Sequence, residues 1–393
     1  YSLRKIWKLL GRPPCFLIDF RPIIPPLIVV TDPKVAEEIS RPSSAFPYSL
    51  GKDEGCMRFK WVLGSESIVL TEGEEWKELR RRFNPAKLRR NPGFQPSHLH
   101  SLIPLMLRKT RIFTNKLRTA AASQAVVTFG NYVQDLTVDI IGEVVVEHDL
   151  RAQLTEEGEG EKGPGGVLMT LDKILEWTYN EQRALNPFHR FSILRPIMLR
   201  YYSRILDRRL SEIIHSRIET RKPESATRTI LNLALQDVTG PLSSQLHKLT
   251  VTQIKSLIFA GSHTTASTVQ WITYLISKHP SILAKVRAEH DVIFGDRPVE
   301  EVLAKTPKEA LSAMVYTTAV IKETLRLYSP AGSVRSAPAG SGFGVTVGGM
   351  RMRLDGTMLF VNHHIIHQDE KVGKEKARST AHSHLKSRKT WMI

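Results

Sequence analysis

The sequence predicts a mainly α-helical fold with small β-sheets. Three observations carry that expectation. The central span, from about Glu74 to Tyr328, is dominated by segments with helical spacing of apolar residues. The first thirty residues and the stretch beyond Pro330 instead hold short β-branched runs punctuated by glycine and proline. A chain of 393 residues with 41% hydrophobic content can bury a large core, and no internal repeat divides it.

Each element follows in order. Up to about Val30 the pattern is strands and turns, with PPLIVV as the clearest strand. DPKVAEEIS reads as a helix, with Asp32 as N-cap and Pro33 at the first helical position, where a missing N–H costs nothing. Glu74 to about Leu150 is mostly helical, and TVDIIGEVVVEHDL is one amphipathic segment. TEEGEGEKGPGG, Thr155 to Gly166, is an acidic glycine-rich surface loop; it lacks the G-x-x-x-x-G-K-[ST] spacing that cradles phosphates. Helices resume from Val167 to about Thr220, and a polar connection spans Lys222 to Thr229.

A longer helix is expected to open near Thr250, because Thr250-x-x-Gln253 has the capping-box pattern. Its buried face would hold Ile254, Leu257, Ile258, Gly261, Thr265, Val269, Ile272 and Leu275. His279-Pro280 ends it and starts another helix to about Ile293, closed by Gly295. A further helix is expected from about Leu311 to Tyr328, stopping before Pro330. GVTVGGMRMRLDGTMLFVN reads as short strands turned at Gly348-Gly349 and Asp355-Gly356, able to pair with the N-terminal strands.

Charge narrows the function classes. The formal net charge is +17, and two short segments, Lys77 to Arg90 and Lys371 to Ile393, carry +6 each. Such clustering is a poor match for a nucleic-acid groove, whereas an anionic membrane or an acidic partner suits it better. Cys15 and Cys56 are the two cysteines, and neither has a C-x-x-C partner, so no zinc site or disulfide framework is readable; low cysteine use fits a reducing compartment. No run of about 18 apolar residues suggests a spanning helix. The sequence opens on Tyr1, so an anchor ahead of it is expected to be missing.

Three constellations bear on chemistry. AGSHTTAS, Ala260 to Ser267, puts a glycine, a histidine and two threonines in the middle of an apolar helix, where glycine costs about 1 kcal/mol relative to alanine. Either small residues there admit a neighbouring helix, or the site faces a flat ligand. A threonine hydroxyl can bond back to the carbonyl four residues earlier or donate to a ligand. Glu323 and Arg326 are three apart and share a helix face; in isolation such a pair reads as a surface salt bridge. Trp76 and Arg80 place an indole N–H and a guanidinium on one turn, a pair able to hold one anionic group and otherwise an ordinary amphipathic turn.

Taken together, EGEEWKELRRRFNP, IFAGSHTTAST, IKETLRLYSPAGSVR and VNHHIIHQDE resemble the cytochrome P450 family of haem-thiolate monooxygenases, as do PSSAFPYSLGKDE and DIIGEVVVEHDLRAQ. The resemblance runs from about Gly11 to Glu370 and has the character of filamentous-fungal enzymes of secondary metabolism. It implies one P450 domain over residues 1–370 and a basic, disordered tail outside the family pattern over 371–393. It also implies that Trp76, Arg80 and Arg335 reach haem propionates and that Ala260 and Gly261 lie over the haem plane. Thr264 would be the oxygen-activating hydroxyl, with His263 and Thr265 beside it, and Glu323 and Arg326 would form a buried ion pair behind the haem. The implied function is oxidation of an apolar small molecule with O2 and electrons from an NADPH-linked reductase, without nucleic acid, at the cytoplasmic face of the endoplasmic reticulum membrane if an anchor exists.

The sequence departs from that family in three places. His263 stands where an aspartate or glutamate is usual; histidine can relay protons but is no fixed anion. Ala86 to Pro92 looks inserted, repeating the dipeptide Asn-Pro. After HQDEK the family pattern stops, and no cysteine follows Cys56, so the axial thiolate is not supplied and no metal ligand is assigned. The expectation is a chain truncated before the cysteine loop that holds haem weakly or not at all. The alternatives are an inactive remnant or a misread gene. The string HHxxH at His363, His364 and His367 lacks the glutamate of a zinc-protease helix and matches a family segment without metal.

Overall fold

The computed structural model describes residues 2–19, 21, 25–53, 56, 59–83, 100–154, 156, 159–179, 193–220, 229–235, 238 and 240–369. The helices along these residues are α1 (Ser2–Leu9), α2 (Pro33–Ser40), α3 (Lys60–Leu63), α4 (Gly73–Phe83), α5 (Ile103–Ala122), α6 (Phe129–Val146) and α7 (Val167–Tyr179). There follow α8 (Leu194–Glu219), α9 (Ile230–Ala234), α10 (Ser244–Lys278), α11 (Pro280–Phe294), α12 (Val299–Lys305), α13 (Pro307–Ala313), α14 (Val315–Leu327) and α15 (His363–Gln368). The strands are β1 (Cys15–Ile18), β2 (Leu27–Val30), β3 (Gly51–Lys52), β4 (Ser333–Ala337), β5 (Gly344–Val347), β6 (Met350–Arg353) and β7 (Thr357–Val361). Contacts divide the chain into two compact units, residues 1–55 with 320–393 and residues 56–319, and the boundary falls inside α14.

The first unit is built on a five-stranded sheet in the order β1-β2-β7-β4-β3. β1 and β2 form an antiparallel pair, and β2 pairs parallel to β7 with Leu27 opposite Met358. β4 lies antiparallel to both β7 and β3. Ile28, Val30, Ile39, Leu359 and Val361 are buried together on one face of it. Asp32 caps α2 through the amide N–H groups of Lys34 and Val35, with Pro33 beginning the helix as expected. β5 and β6 form a separate hairpin closed by Gly348 and Gly349, both at positive φ, which a tight two-residue turn demands.

The second unit is helical. α6 lies against α10, α8 packs on α7 and α10, and their apolar faces meet around Val138, Leu206, Ile214, Ile254 and Ile258. The segment between α3 and α4 is tied to α10 by polar contacts. Gln253, fully buried, accepts from the Ile68 amide at 2.9 Å and donates to the Glu66 carbonyl at 2.6 Å. Ser256 Oγ meets Ser67 Oγ at 2.8 Å.

Three expectations are corrected. α10 opens at Ser244, not near Thr250: Ser243 Oγ caps it by accepting from the Leu246 amide, while Thr250 sits inside and donates back to the Leu246 carbonyl. The long expected face of α10 is buried only in part, since Thr265 is exposed. The segment near Leu311 forms two helices, α13 and α14, parted at Met314, because the Glu289 carboxylate takes the Tyr316 and Thr317 amides and starts a new helix there. Asp355-Gly356 makes a turn as expected, with Gly356 at positive φ, and β7 then joins the N-terminal strands in the larger sheet. The expected insertion at Ala86 to Pro92 and the tail over residues 371–393 lie outside the described residues, as does most of the connection from Lys222. Among the described residues no helix is long and apolar enough to cross a membrane.

Candidate active site

The middle of α10 is an unbroken helix, although its side chains are unusual for one. Ser262, Thr264, Thr268 and Thr273 each donate to the carbonyl four residues earlier, at 2.7 to 2.9 Å. Thr264 Oγ1 therefore spends its proton on the Ala260 carbonyl, and the helix absorbs the hydroxyls without an interruption. Ala260 is exposed, Thr264 half-buried, and Thr268 follows one turn later, so a stripe of small and hydroxyl side chains runs along one open face.

Gly261 points elsewhere. A Cβ at that position would lie 2.5 Å from Ile141 Cδ1 on α6, so the glycine admits the neighbouring helix. His263 is mostly buried, with its ring 5.1 Å from that of Phe259. Burial pushes its imidazole below the usual histidine range, against the opposing effect of a hydrogen bond with the Phe259 backbone. Its Nδ1 lies 3.0 Å from Ser262 Oγ, a partner that the sequence offered only as an adjacent hydroxyl.

On α4, Trp76 and Arg80 are one turn apart, and the guanidinium carbon sits 5.2 Å from the indole centroid. Arg80 is exposed and has no ion pair among the described residues, so its charge is available to an anion. Glu74 and Glu75 in the first turn and three arginines in the last complement the helix dipole.

In the sheet unit, Arg335 is held on β4 between Leu359 of β7 and Lys52 of β3. Its Nε is buried without a hydrogen-bond partner, and Nη1 reaches only its neighbour's carbonyl, Val334 O, at 3.4 Å. A buried guanidinium N–H without an acceptor suits a carboxylate ligand. Glu323 and Arg326 pair bidentately, at 2.7 Å and 2.5 Å. The pair is not buried as expected: the side chains are 32% and 42% exposed, because they sit near the end of α14. Arg326 also donates to the His367 carbonyl, which ties α14 to α15.

These features coincide with a family pattern. The cytochrome P450 family profile matches residues 15–374. The chain belongs to the cytochrome P450 family. It is 30% identical over 375 residues to cytochrome P450 monooxygenase acrF of Aspergillus aculeatus, covering 93% of this chain and 70% of that protein. It is 27% identical to cytochrome P450 monooxygenase polC of Polytolypa hystricis, covering 90% of this chain and 62% of the relative. Both relatives are fungal monooxygenases by name, and the family places this chain in that enzyme class. Among solved structures, the crystal structure of a cytochrome P450 (CYP102L1) superposes with a TM-score of 0.73 at 18% identity, covering 94% of this chain and 78% of that one.

P450 membership implies haem, and the residues fit it unevenly. Arg335 with its unpartnered Nε, and the Trp76–Arg80 pair, suit propionates. The fifth coordination position is not matched. Burial, then the charge of Asp32, pushes the Cys15 thiol up and away from the thiolate form. Among the described residues no group of three or more histidine, cysteine or acidic side chains could hold a metal ion. His364 of the HHxxH string instead bonds the Leu327 carbonyl through Nδ1 at 2.9 Å.

Proposed function

We propose that this chain supplies the oxygen-side helix and the propionate anchors of a P450 that oxidises an apolar small molecule, drawing electrons from a flavoprotein reductase. The observation that carries the reading is Arg335, a half-buried cation on an inner strand whose Nε is buried with its donor unused. Bound haem would supply an iron able to bind and reductively split dioxygen. Trp76, Arg80 and Arg335 would hold its propionates, and the small side chain of Ala260 would leave room along the plane.

The proton-handling residues are those of AGSHTTAS. Thr264 Oγ1 keeps its proton on the Ala260 carbonyl and must turn from it to donate elsewhere. His263, neutral because it is buried, passes a proton between Nδ1 and Ser262 Oγ without adding a fixed charge. Thr265, exposed on the adjoining face, widens the polar strip.

A second reading is favoured by one observation: the sequence has no cysteine after Cys56, and Cys15 is held as a thiol. On that reading the 393 residues bind porphyrin without sulfur ligation. The carbon monoxide difference spectrum of the reduced, haem-loaded chain separates the two. No thiolate-type Soret shift is expected from these residues, and its appearance would overturn the assignment of the cysteines. Failure of protoporphyrin to bind at all would sink the haem reading itself.

A further inference from the structure

The helical unit holds a cavity of about 540 Å³ that no part of the haem reading uses. It is lined by α3, α8, the N-terminal half of α10 and the segment after Gly64. Lys255 lies nine residues before Thr264, half a turn round the axis of α10, and so faces away from the stripe of Ala260 and Thr264. The volume falls in the range of about 300–1,000 Å³ typical of small-molecule sites.

The lining carries four cations, Lys60, Arg208, Lys248 and Lys255, against two carboxylates, Glu66 and Asp207. Lys255 is the decisive residue. Its side chain is 2% exposed, and its ammonium meets Asp207, itself 46% exposed, at 2.5 Å. An ammonium has three N–H donors, and a single half-exposed carboxylate satisfies one of them. A cation so buried is costly unless it is fully paired and hydrogen-bonded. A tie between α8 and α10 alone does not call for it, since apolar packing of Leu206 and Ile258 already joins those helices. Arg208, next to Asp207, is exposed on the same cavity and has no ion pair among the described residues. Lys60 stands over the Trp61 ring at 5.2 Å and has no carboxylate partner among the described residues. Lys248 is paired with Glu66 at 3.3 Å, so the excess positive charge comes from Lys60 and Arg208. Ser211 and His247 share a 2.6 Å hydrogen bond at the wall and add a polar edge. Ser65, Ser203 and Thr252 add hydroxyls, and Trp61 and Val251 supply an apolar, partly flat surface.

We propose that this cavity binds a small organic carboxylate with a flat apolar body, its carboxylate received by Lys255 and Arg208 and its ring lying against Trp61. The charge selects an anion, the spare ammonium donors select an oxygen acceptor, and the indole selects a planar body over a bare inorganic ion. The proposal is independent of haem, and its test uses the 393-residue chain with none added.

Isothermal titration with 2-naphthoate is expected to show saturable binding of one molecule per chain. The neutral 2-naphthylmethanol should bind at least about tenfold more weakly, because a hydrogen bond to a charged group contributes about 1.5–3 kcal/mol, and inorganic phosphate should also bind at least about tenfold more weakly, because it has no planar body to lie against Trp61. Arg208→Gln, a surface change that leaves the core untouched, should weaken naphthoate by about tenfold. Lys255→Met should weaken it further, and circular dichroism would verify that this variant folds. Absence of saturable naphthoate binding, unchanged affinity in Arg208→Gln, or equal affinity for the alcohol or for phosphate would each overturn the proposal.

Discussion

Gly261 of α10 stands so close to Ile141 of α6 that an added Cβ would come within 2.5 Å of Cδ1 and 2.8 Å of Cγ1. The glycine is thus a packing device between two helices, while its neighbours Ala260 and Thr264 face open space. Replacing it with alanine gains helix propensity of about 1 kcal/mol and introduces overpacking of about 1–3 kcal/mol. Gly261→Ala is expected to lower stability by roughly 1 kcal/mol net, measured by urea unfolding. Adding Ile141→Ala should cancel the overpacking part, and strict additivity of the two single changes would contradict it.

Gln253 supplies a second prediction. Its buried amide serves the Ile68 N–H and the Glu66 carbonyl, both part-buried. Gln253→Leu takes the partner from both part-buried groups and should cost about 1–3 kcal/mol in all. The exposed Lys248→Ala nearby, with its pair to Glu66, should change stability by less than about 1 kcal/mol. Similar losses for the two variants would refute the distinction.

The pH dependence of stability carries a signature of His263. Burial lowers its folded pKa below the unfolded value of about 6.5. Between the two values the unfolded chain takes up a proton that the folded one refuses, so stability falls as pH drops below about 6.5 and levels off below the folded pKa. His263→Gln should flatten that part of the stability–pH curve. An unchanged slope in this variant would show that other groups produce it.

Glu289 acts at lower pH. Burial raises its pKa, but the hydrogen bonds from Thr317 and Tyr316 outweigh this and hold it below the usual carboxylate range. Its contribution is complete above the ordinary glutamate value of about 4.3 and is lost as pH falls through the depressed folded value. Glu289→Gln should remove that acid-side loss, and hydrogen exchange at the start of α14 should quicken in the variant at neutral pH. Exchange there that matches the unaltered chain would argue against the cap.

Arg335 allows a test of the propionate assignment without turnover. Arg335→Met removes a half-buried cation whose Nε is buried and unsatisfied, so the ligand-free chain should be as stable or more so. Iron-free protoporphyrin, followed by fluorescence, should bind the variant about tenfold more weakly, while the dimethyl ester of the same porphyrin should bind both proteins alike. Equal loss for acid and ester would mean that Arg335 matters only for folding.

The features that were legible in the sequence are local ones. Asp32-Pro33 and the hairpin at Gly348-Gly349 rest on backbone chemistry within a few residues, and both formed as read. The start of α10 was misread because Gln253 imitates a capping-box residue while its amide is committed to Ile68 and Glu66, far away in the chain. The break at Met314 was hidden for the same reason, since the cap comes from Glu289 on another helix. In the candidate site, WxxxR and AGSHTT were readable as a pattern, whereas the burial of Arg335 Nε depends on three strands brought together by the fold. The half-exposure of the Glu323–Arg326 pair was equally beyond local spacing.

The parallel pairing of β2 with β7 joins Leu27 to a partner synthesised roughly 330 residues later. At about 5–20 residues per second, a ribosome needs some 15–60 seconds to deliver it. During that interval one side of the nascent β1–β2 hairpin has its amides and carbonyls without their final neighbour, a ready template for the wrong strand. The helical unit, wholly encoded in between, can mature first. Newly made chains should therefore need protection at their beginning for longer than at their middle.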